Sequence, residues 1–200
     1  MELSDEQQLA FDLFNEGKNI FLTGPGGSGK SMLIRKLVEN ANLRNKKIQV
    51  CATTGCAAVL LGCKGTKTIH SWAGIGIAKG PFGKVVERVT SNKSRQYPWK
   101  ATDILIIDEV SMMSKKVFEI LDTIGKKIRK MYNKPFGGIQ IVFSGDFYQL
   151  PPIGDTDDLE TSAFCFESER WNETFDKTVI LNTIFRQTDL NYTKILNNIR

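Results

Sequence analysis

Histidine occurs once, at His70, and the four cysteines, Cys51, Cys56, Cys63 and Cys165, contain no C-x-x-C pair. A zinc site drawn from Cys51, Cys56, Cys63 and His70 would need spacings that match no common zinc module. Reduced thiols in a reducing compartment are therefore expected, rather than metal–cysteine chemistry. The most apolar run, Ile104-Leu105-Ile106-Ile107, is closed off by Asp103 and Asp108 and is far too short to cross a bilayer. The N-terminus, Met1-Glu2-Leu3-Ser4-Asp5-Glu6, is acidic and lacks the basic-then-apolar layout of a secretion signal. Internal repeats and low-complexity tracts are missing too. Together these absences point away from a membrane and toward an intracellular protein: nucleus or mitochondrion if eukaryotic, the host cell if viral, cytoplasm if bacterial.

What is present suits a folded domain. The chain has 200 residues, 41% of them hydrophobic and 24% charged, which allows one domain with a full core. The net charge is +5 and the sequence pI about 9.0, which favours a polyanionic partner. Ser4 and Gln7 have the spacing of a capping box and open a helix through Leu9, Ala10, Leu13 and Phe14, with Gly17 to end it. Strand-like runs recur at 19–23, 48–52, 103–107, 139–143 and 177–181, with helical patterns or long connections between most of them. They show little in–out alternation, so the expected fold is α/β, a parallel β-sheet with helices on both faces. Residues 79–100, with six Lys or Arg side chains among Gly, Pro, Ser and Asn, read as a mostly exposed excursion with a short helix around Lys84–Val89. Residues 154–162 read as an acidic surface loop.

The densest signal is Gly24-Pro25-Gly26-Gly27-Ser28-Gly29-Lys30-Ser31, which fits the phosphate-loop pattern G-x-x-x-x-G-K-[ST] between a strand and an amphipathic helix. Glycines let backbone N–H groups curl around a polyphosphate, and the helix N-terminus adds its positive dipole. Lys30 would reach the β- and γ-phosphates of ATP, and the Ser31 hydroxyl would ligate Mg²⁺. The apolar strand ending in Asp108-Glu109 supplies the partner carboxylates: Asp108 to hold Mg²⁺ through its water shell, Glu109 to orient and deprotonate the attacking water. That pair argues for hydrolysis over transfer to an acceptor. Gln149, on a proline-stiffened loop after Gly145-Asp146, is placed either to sense the γ-phosphate or simply to stand exposed on a turn.

Gly145-Asp146-Phe147-Tyr148-Gln149-Leu150-Pro151-Pro152, together with Ile107-Asp108-Glu109-Val110-Ser111-Met112, resembles the petite-integration-frequency (PIF) DNA helicases. These are superfamily-one motors that move 5′ to 3′ on single strands. The resemblance extends over nearly the whole chain, through Thr53-Thr54-Gly55-Cys56-Ala57-Ala58, residues 66–76, residues 114–140, Phe164-Cys165-Phe166-Glu167-Ser168 and Leu181-Asn182-Thr183-Ile184-Phe185-Arg186-Gln187. It implies a RecA-like P-loop NTPase lobe over 1–185, with 79–100 as a possible small basic insertion. Residues 186–200 would carry a motif arginine and begin the connection to a second RecA-like lobe that has no counterpart here. It implies that Gln7 reads adenine, a role that can coexist with its capping box, and that Arg186 approaches the γ-phosphate as a catalytic group.

Single-stranded or fork DNA is the implied partner of a monomer. Thr54 and the backbone at Gly55 would hold a phosphate. His70 is preferred over Trp72 as a stacking ring, Trp72 being equally suited to the core, and Phe147 and Tyr148 carry the same ambiguity. The basic run Lys126-Lys127-Ile128-Arg129-Lys130 reads as a solvated helix face. An end at Arg200 inside an amphipathic pattern suggests a fragment of a longer polypeptide, one that binds and weakly hydrolyses ATP without unwinding. Two competing readings remain: a non-motor nucleotide-binding regulatory module, and another P-loop NTPase such as a kinase.

Overall fold

The computed structural model describes residues 3–155 and 158–183. Arg186, and the amphipathic pattern that follows it, lie outside the described residues. Strands β1 (Ile20–Thr23), β2 (Ile48–Ala52), β3 (Lys67–Thr68), β4 (Ile104–Asp108), β5 (Gln140–Ser144) and β6 (Lys177–Ile180) form one parallel sheet in the order β3-β2-β4-β5-β1-β6. Five of these lie within a residue of their expected limits. The edge strand β3 was not anticipated, because two residues with no apolar run carry no strand pattern.

Successive side chains in a strand point to opposite faces, and here both faces are buried. Ile104 and Ile106 pack with Ile20, Leu22, Val50 and Val142, while Leu105 and Ile107 pack with Phe21, Cys51, Ile141 and Phe143. Helices α1 (Asp5–Asn15) and α2 (Lys30–Leu43) cover the first face through Ala10, Phe14, Leu33, Ile34, Leu37 and Ala41, with the short α3 (Gly55–Leu60) at its margin. The second face lies under α4 (Ile69–Ala73), α5 (Phe82–Thr90), α6 (Lys93–Ala101), α7 (Lys115–Arg129) and α8 (Arg170–Thr174). Helix α1 starts where its capping box requires. The Gln7 N–H donates to Ser4 Oγ at 3.3 Å, and the Ser4 N–H donates to Gln7 Oε1 at 3.2 Å.

Residues 79–100 are mostly exposed, as expected, and the helix expected around Lys84–Val89 lies within α5, but the segment also packs inward. It folds as α5 and α6, and Val85, Val86, Val89 and Trp99 are buried in the core beneath α7. The basic residues fall on the outer faces, so charge density in the sequence hid an apolar stripe spaced three and four residues apart. The basic run on α7 also divides. Lys127 and Lys130 are exposed, but the half-buried Arg129 donates to the carbonyls of Gly137 (2.7 Å), Trp99 (3.0 Å) and Thr102 (3.2 Å), tying α7 to α6 and to the turn before β5.

That turn, Pro135–Gly138, is held against α7 from the inside. Asp122 is fully buried; it accepts the Phe136 N–H at 2.9 Å and pairs with Lys126 at 2.8 Å and Arg170 at 3.0 Å. Close approach is possible because position 125 is glycine: a Cβ there would meet the Phe136 carbonyl oxygen at 2.5 Å. Lys126 and Arg170 are partly solvated and would recover water if the carboxylate were lost, whereas the Phe136 N–H would not. Asp122→Ala should therefore lower the unfolding free energy by about 2–4 kcal/mol, as urea denaturation would measure.

Candidate nucleotide and strand clefts

All strands run the same way, so their carboxyl ends line one edge of the sheet, the usual site of ligand binding in open α/β sheets. The phosphate loop leaves β1, Thr53 and Thr54 leave β2, Asp108 and Glu109 end β4, and Gly145 to Gln149 leave β5. A cleft of about 770 Å³ opens among them, lined by Gly26, Gly27, Gly29, Lys30, Ser31, Thr54, Asp108, Glu109 and Gln149 with apolar walls from Met32, Leu60, Met112 and Leu150.

Gly29 sits at φ 85°, ψ 14°, the left-handed region that glycine occupies without strain, and from there the chain enters α2 with Lys30 as its first residue. The Lys30 ammonium donates to the carbonyls of Gly24 at 2.6 Å and Pro25 at 3.1 Å, so it is folded onto its own loop. Ser28 is buried behind the loop. Gln7 is also fully buried. Its Nε2 lies 3.5 Å from the Ser28 carbonyl, so it supports the phosphate loop from behind rather than lining the cleft.

Burial raises the Asp108 carboxyl above its ordinary value, opposed by the Ser144 hydroxyl, the backbone at Glu109 and the Lys30 charge. Burial, and next the negative charge of Asp108, raise Glu109, with Lys30 opposing. A carboxylate shifted in this direction is a stronger proton acceptor. Glu109 also stands at φ 57°, ψ 42°, a left-handed conformation rare outside glycine. Gln149 is exposed at the mouth of the cleft, on a turn whose backbone N–H donates to the Asp146 carbonyl at 2.9 Å, and its Nε2 lies 3.3 Å from Asp146 Oδ2.

A second groove, of about 860 Å³, adjoins the first and shares Thr54 and Met112 with it; Thr53, His70, Lys79 and Lys116 are among its other lining residues. Thr54 caps α3 by accepting the Ala57 N–H at 3.2 Å, and Gly55 opens that helix at the surface. The buried Lys116 pairs with Asp158 and donates to the Gly80 carbonyl at 2.9 Å, and Lys79 pairs with Asp155 at 3.6 Å, so these two acidic side chains lie on the groove wall. Trp72 is not in the groove: it is buried against Trp99, with ring centroids 4.6 Å apart. Phe147 points away from it too, into an aromatic cluster with Phe166 at 4.7 Å, Phe21 at 5.4 Å and Trp171 at 5.9 Å, while Tyr148 is exposed.

The structure thus gathers Lys30, Ser31, Asp108, Glu109 and Gln149 round one cleft and Thr54 and His70 round the next. It leaves Gln7 behind the phosphate loop and the partly buried Phe147 packed against the core. Sequence reasoning passed over Thr53, Met112 and Lys116, and Arg35, which also lines the first cleft. Only the doubled threonine of Thr53-Thr54 offered a signal. Among the described residues no group of three or more His, Cys, Asp or Glu is gathered as a metal cluster, and Cys51 and Cys165 are buried thiols whose proton affinity burial raises.

A glycine-rich loop feeding a helix N-terminus, with two carboxylates ending a neighbouring parallel strand, defines a RecA-like P-loop nucleoside-triphosphatase lobe. The PIF1-like helicase family model matches residues 2–198, and the chain belongs to that family. It is 40% identical over 201 residues to the ATP-dependent DNA helicase RRM3 of Saccharomyces cerevisiae, covering 99% of this chain and 27% of that protein. It is 39% identical to the ATP-dependent DNA helicase PIF1 of the same species, covering 99% of this chain and 23% of that one. The crystal structure of the Candida albicans Pif1 helicase superposes with a TM-score of 0.88 at 38% identity, over 99% of this chain and 44% of that one. A Bacteroides Pif1 bound to single-stranded DNA superposes at 0.81 with 31% identity, over 99% and 46%. The chain therefore spans about a quarter of the length of the curated relatives it matches.

His70, the sole histidine, is partly buried, and burial lowers its proton affinity below the ordinary value. The unfolded chain then takes up the proton first. The contribution of neutral His70 to stability is intact above the unfolded value near 6.5 and is lost as pH falls from there toward the depressed folded value. Thermal unfolding should show a stability loss as pH falls below about 6.5 that is smaller in His70→Gln.

Proposed function

We propose that this chain is the ATP-hydrolysing motor lobe of a 5′-to-3′ DNA helicase. In this reading ATP lies in the first cleft and single-stranded DNA lies along the second groove. The observation that carries it is the convergence of Lys30, Ser31, Asp108, Glu109 and Gln149 on one cleft whose wall, at Thr54, is also a wall of the next. The named activities of the family's longer members, and a Bacteroides Pif1 structure in complex with ADP-AlF3 and single-stranded DNA, support the assignment.

The residues fit Mg²⁺. That ion takes few protein ligands and keeps waters and phosphate oxygens, so one carboxylate and one hydroxyl suffice where a denser cluster is missing. Ser31 and Asp108 would hold it, and when bound it neutralises developing charge on the phosphates. Lys30 leaves the Gly24 and Pro25 carbonyls for the β- and γ-phosphate oxygens, exchanging neutral acceptors for charged ones. Glu109 orients a water in line with the γ-phosphorus and takes its proton, a task its raised proton affinity suits. Gln149 contacts the γ-phosphate side and reports its loss through the β5 loop. Arg186 would add positive charge to the transition state.

In the second groove, Thr54 and the backbone at Gly55 hold a strand phosphate and His70 offers a ring to a base. Base–aromatic stacking is worth about 1–3 kcal/mol and is indifferent to sequence, as a translocating motor needs. Strand separation at forks belongs to the whole motor. The parts of the longer relatives that have no counterpart in these 200 residues would supply the second lobe against which this one closes, so the chain alone should hydrolyse ATP weakly and not unwind.

Glu109→Gln should keep ATP affinity and lower kcat by about 10²–10⁴-fold. Lys30→Ala should lose nucleotide binding itself. Titration with a fluorescent ATP analogue alongside phosphate release separates the two. Undiminished affinity in Lys30→Ala would remove the reading.

A further inference from the structure

The two clefts touch at the ends of β2 and β4. These strands pair in register, Ala52 opposite Asp108, so the next residues, Thr53 and Glu109, emerge side by side at the edge of the sheet. The pairing continues one step past the strands in altered form. The Thr53 N–H donates to the Asp108 carbonyl at 3.3 Å, and the Thr53 hydroxyl donates to the Glu109 carbonyl at 2.9 Å. The latter oxygen also accepts the Met112 N–H at 3.2 Å. Glu109 is the residue held in the left-handed region at φ 57°, ψ 42°. A non-glycine residue keeps such a backbone only where its surroundings over-determine it, and such positions cluster at functional sites.

Thr53 stands on the other side of that wall from Glu109's cleft. It lines the second groove and not the first, next to Thr54, which lines both. Its hydroxyl is already committed to the Glu109 carbonyl, so it is not itself a group for holding the strand. A strand phosphate settling on Thr54 and Gly55 would nonetheless press on the backbone that carries Thr53.

We propose that Thr53 is a positioning residue that couples the strand groove to the nucleotide cleft: its hydroxyl sets the backbone of Glu109, and occupancy of the groove sets its hydroxyl. The proposal rests on the reading of the two clefts given above. The coupling is local and has a definite route. The peptide plane after Glu109 is fixed by two hydrogen bonds, one from the 3-10 turn Val110–Met112 and one from a residue of the groove wall. Rotation of that plane swings the carboxylate relative to the phosphate loop, so loosening the Thr53 bond changes where the water-activating oxygen points without altering the residues that bind ATP. Small misplacements of a catalytic group are enough to change turnover strongly.

The test uses Thr53→Val, which preserves the branched shape and removes the hydroxyl, and Thr53→Ser, which preserves the hydroxyl. ATP turnover of this chain is measured with and without oligo(dT), and oligo(dT) affinity is measured separately by fluorescence anisotropy. In Thr53→Val, KM for ATP and oligo(dT) affinity should stay within about twofold of wild type, while the ratio of oligo(dT)-stimulated to basal kcat falls about 5- to 10-fold, in the range of measured couplings between two sites. Thr53→Ser should restore the stimulation. Wild-type stimulation in Thr53→Val overturns the proposal. So does an equal fall of basal and stimulated rates, which would mark a merely structural bond, or an oligo(dT) that binds the wild-type chain without changing its turnover. A wild-type chain that binds ATP but no oligo(dT) removes the assignment of the groove to DNA, and this proposal with it.

Discussion

The parallel sheet is sealed on both faces by helices, and everything ionisable in the mechanism follows from that constraint. A carboxylate cannot sit on the face of β4 among Ile104 to Ile107 without losing its hydration. It can sit at the strand's end, where Asp108 still borders a cleft. Because every strand runs in the same direction, every such end lies along one edge. The phosphate loop, the acidic pair, the doubled threonine and the Gln149 turn are neighbours in space for that reason alone, although about 125 residues of chain separate the first from the last.

Burial at that edge has a chemical consequence. Asp108 and Glu109 sit close enough to solvent to ionise and far enough from it that both hold protons more tightly than usual, with Lys30 as the countercharge. The Lys30 ammonium also donates to the carbonyls of Gly24 and Pro25 in its own loop. The left-handed backbone at Glu109 adds a local strain that the fold around it must offset. The scaffold opposite is correspondingly rigid: Asp122, Arg129 and Gly125 lock α7, α6 and the turn before β5 into one unit, and β5 in turn carries Gln149 to the cleft.

The phosphate loop, the acidic pair, the capping box at Ser4 and Gln7, and five of the six strands were legible in the sequence. Each is a local pattern whose physics acts within a few residues: glycines where φ must be positive, an apolar run where both faces are buried, a hydroxyl at a helix start. Less legible was whatever depends on partners distant along the chain. The charges of 79–100 concealed the buried Val85, Val86, Val89 and Trp99, and Arg129 looked solvated although it meets three carbonyls from two distant segments. Phe147 read as readily for a stacking ring as for a core side chain, because composition cannot say which way a ring at the end of a strand will turn.

By itself, then, the order of residues determined that Gly24 to Ser31 form a glycine-rich loop between a strand and a helix and that Asp108 and Glu109 stand at the end of a buried strand. Those are properties of contiguous segments. Only the tertiary structure decided that Thr53 reaches the Glu109 carbonyl, that His70 faces a groove while Trp72 is buried and Phe147 packs against other aromatic rings, and that the two clefts share a wall. Such outcomes depend on strand order and on which face of each helix meets the sheet, and both are set by how distant apolar surfaces pack.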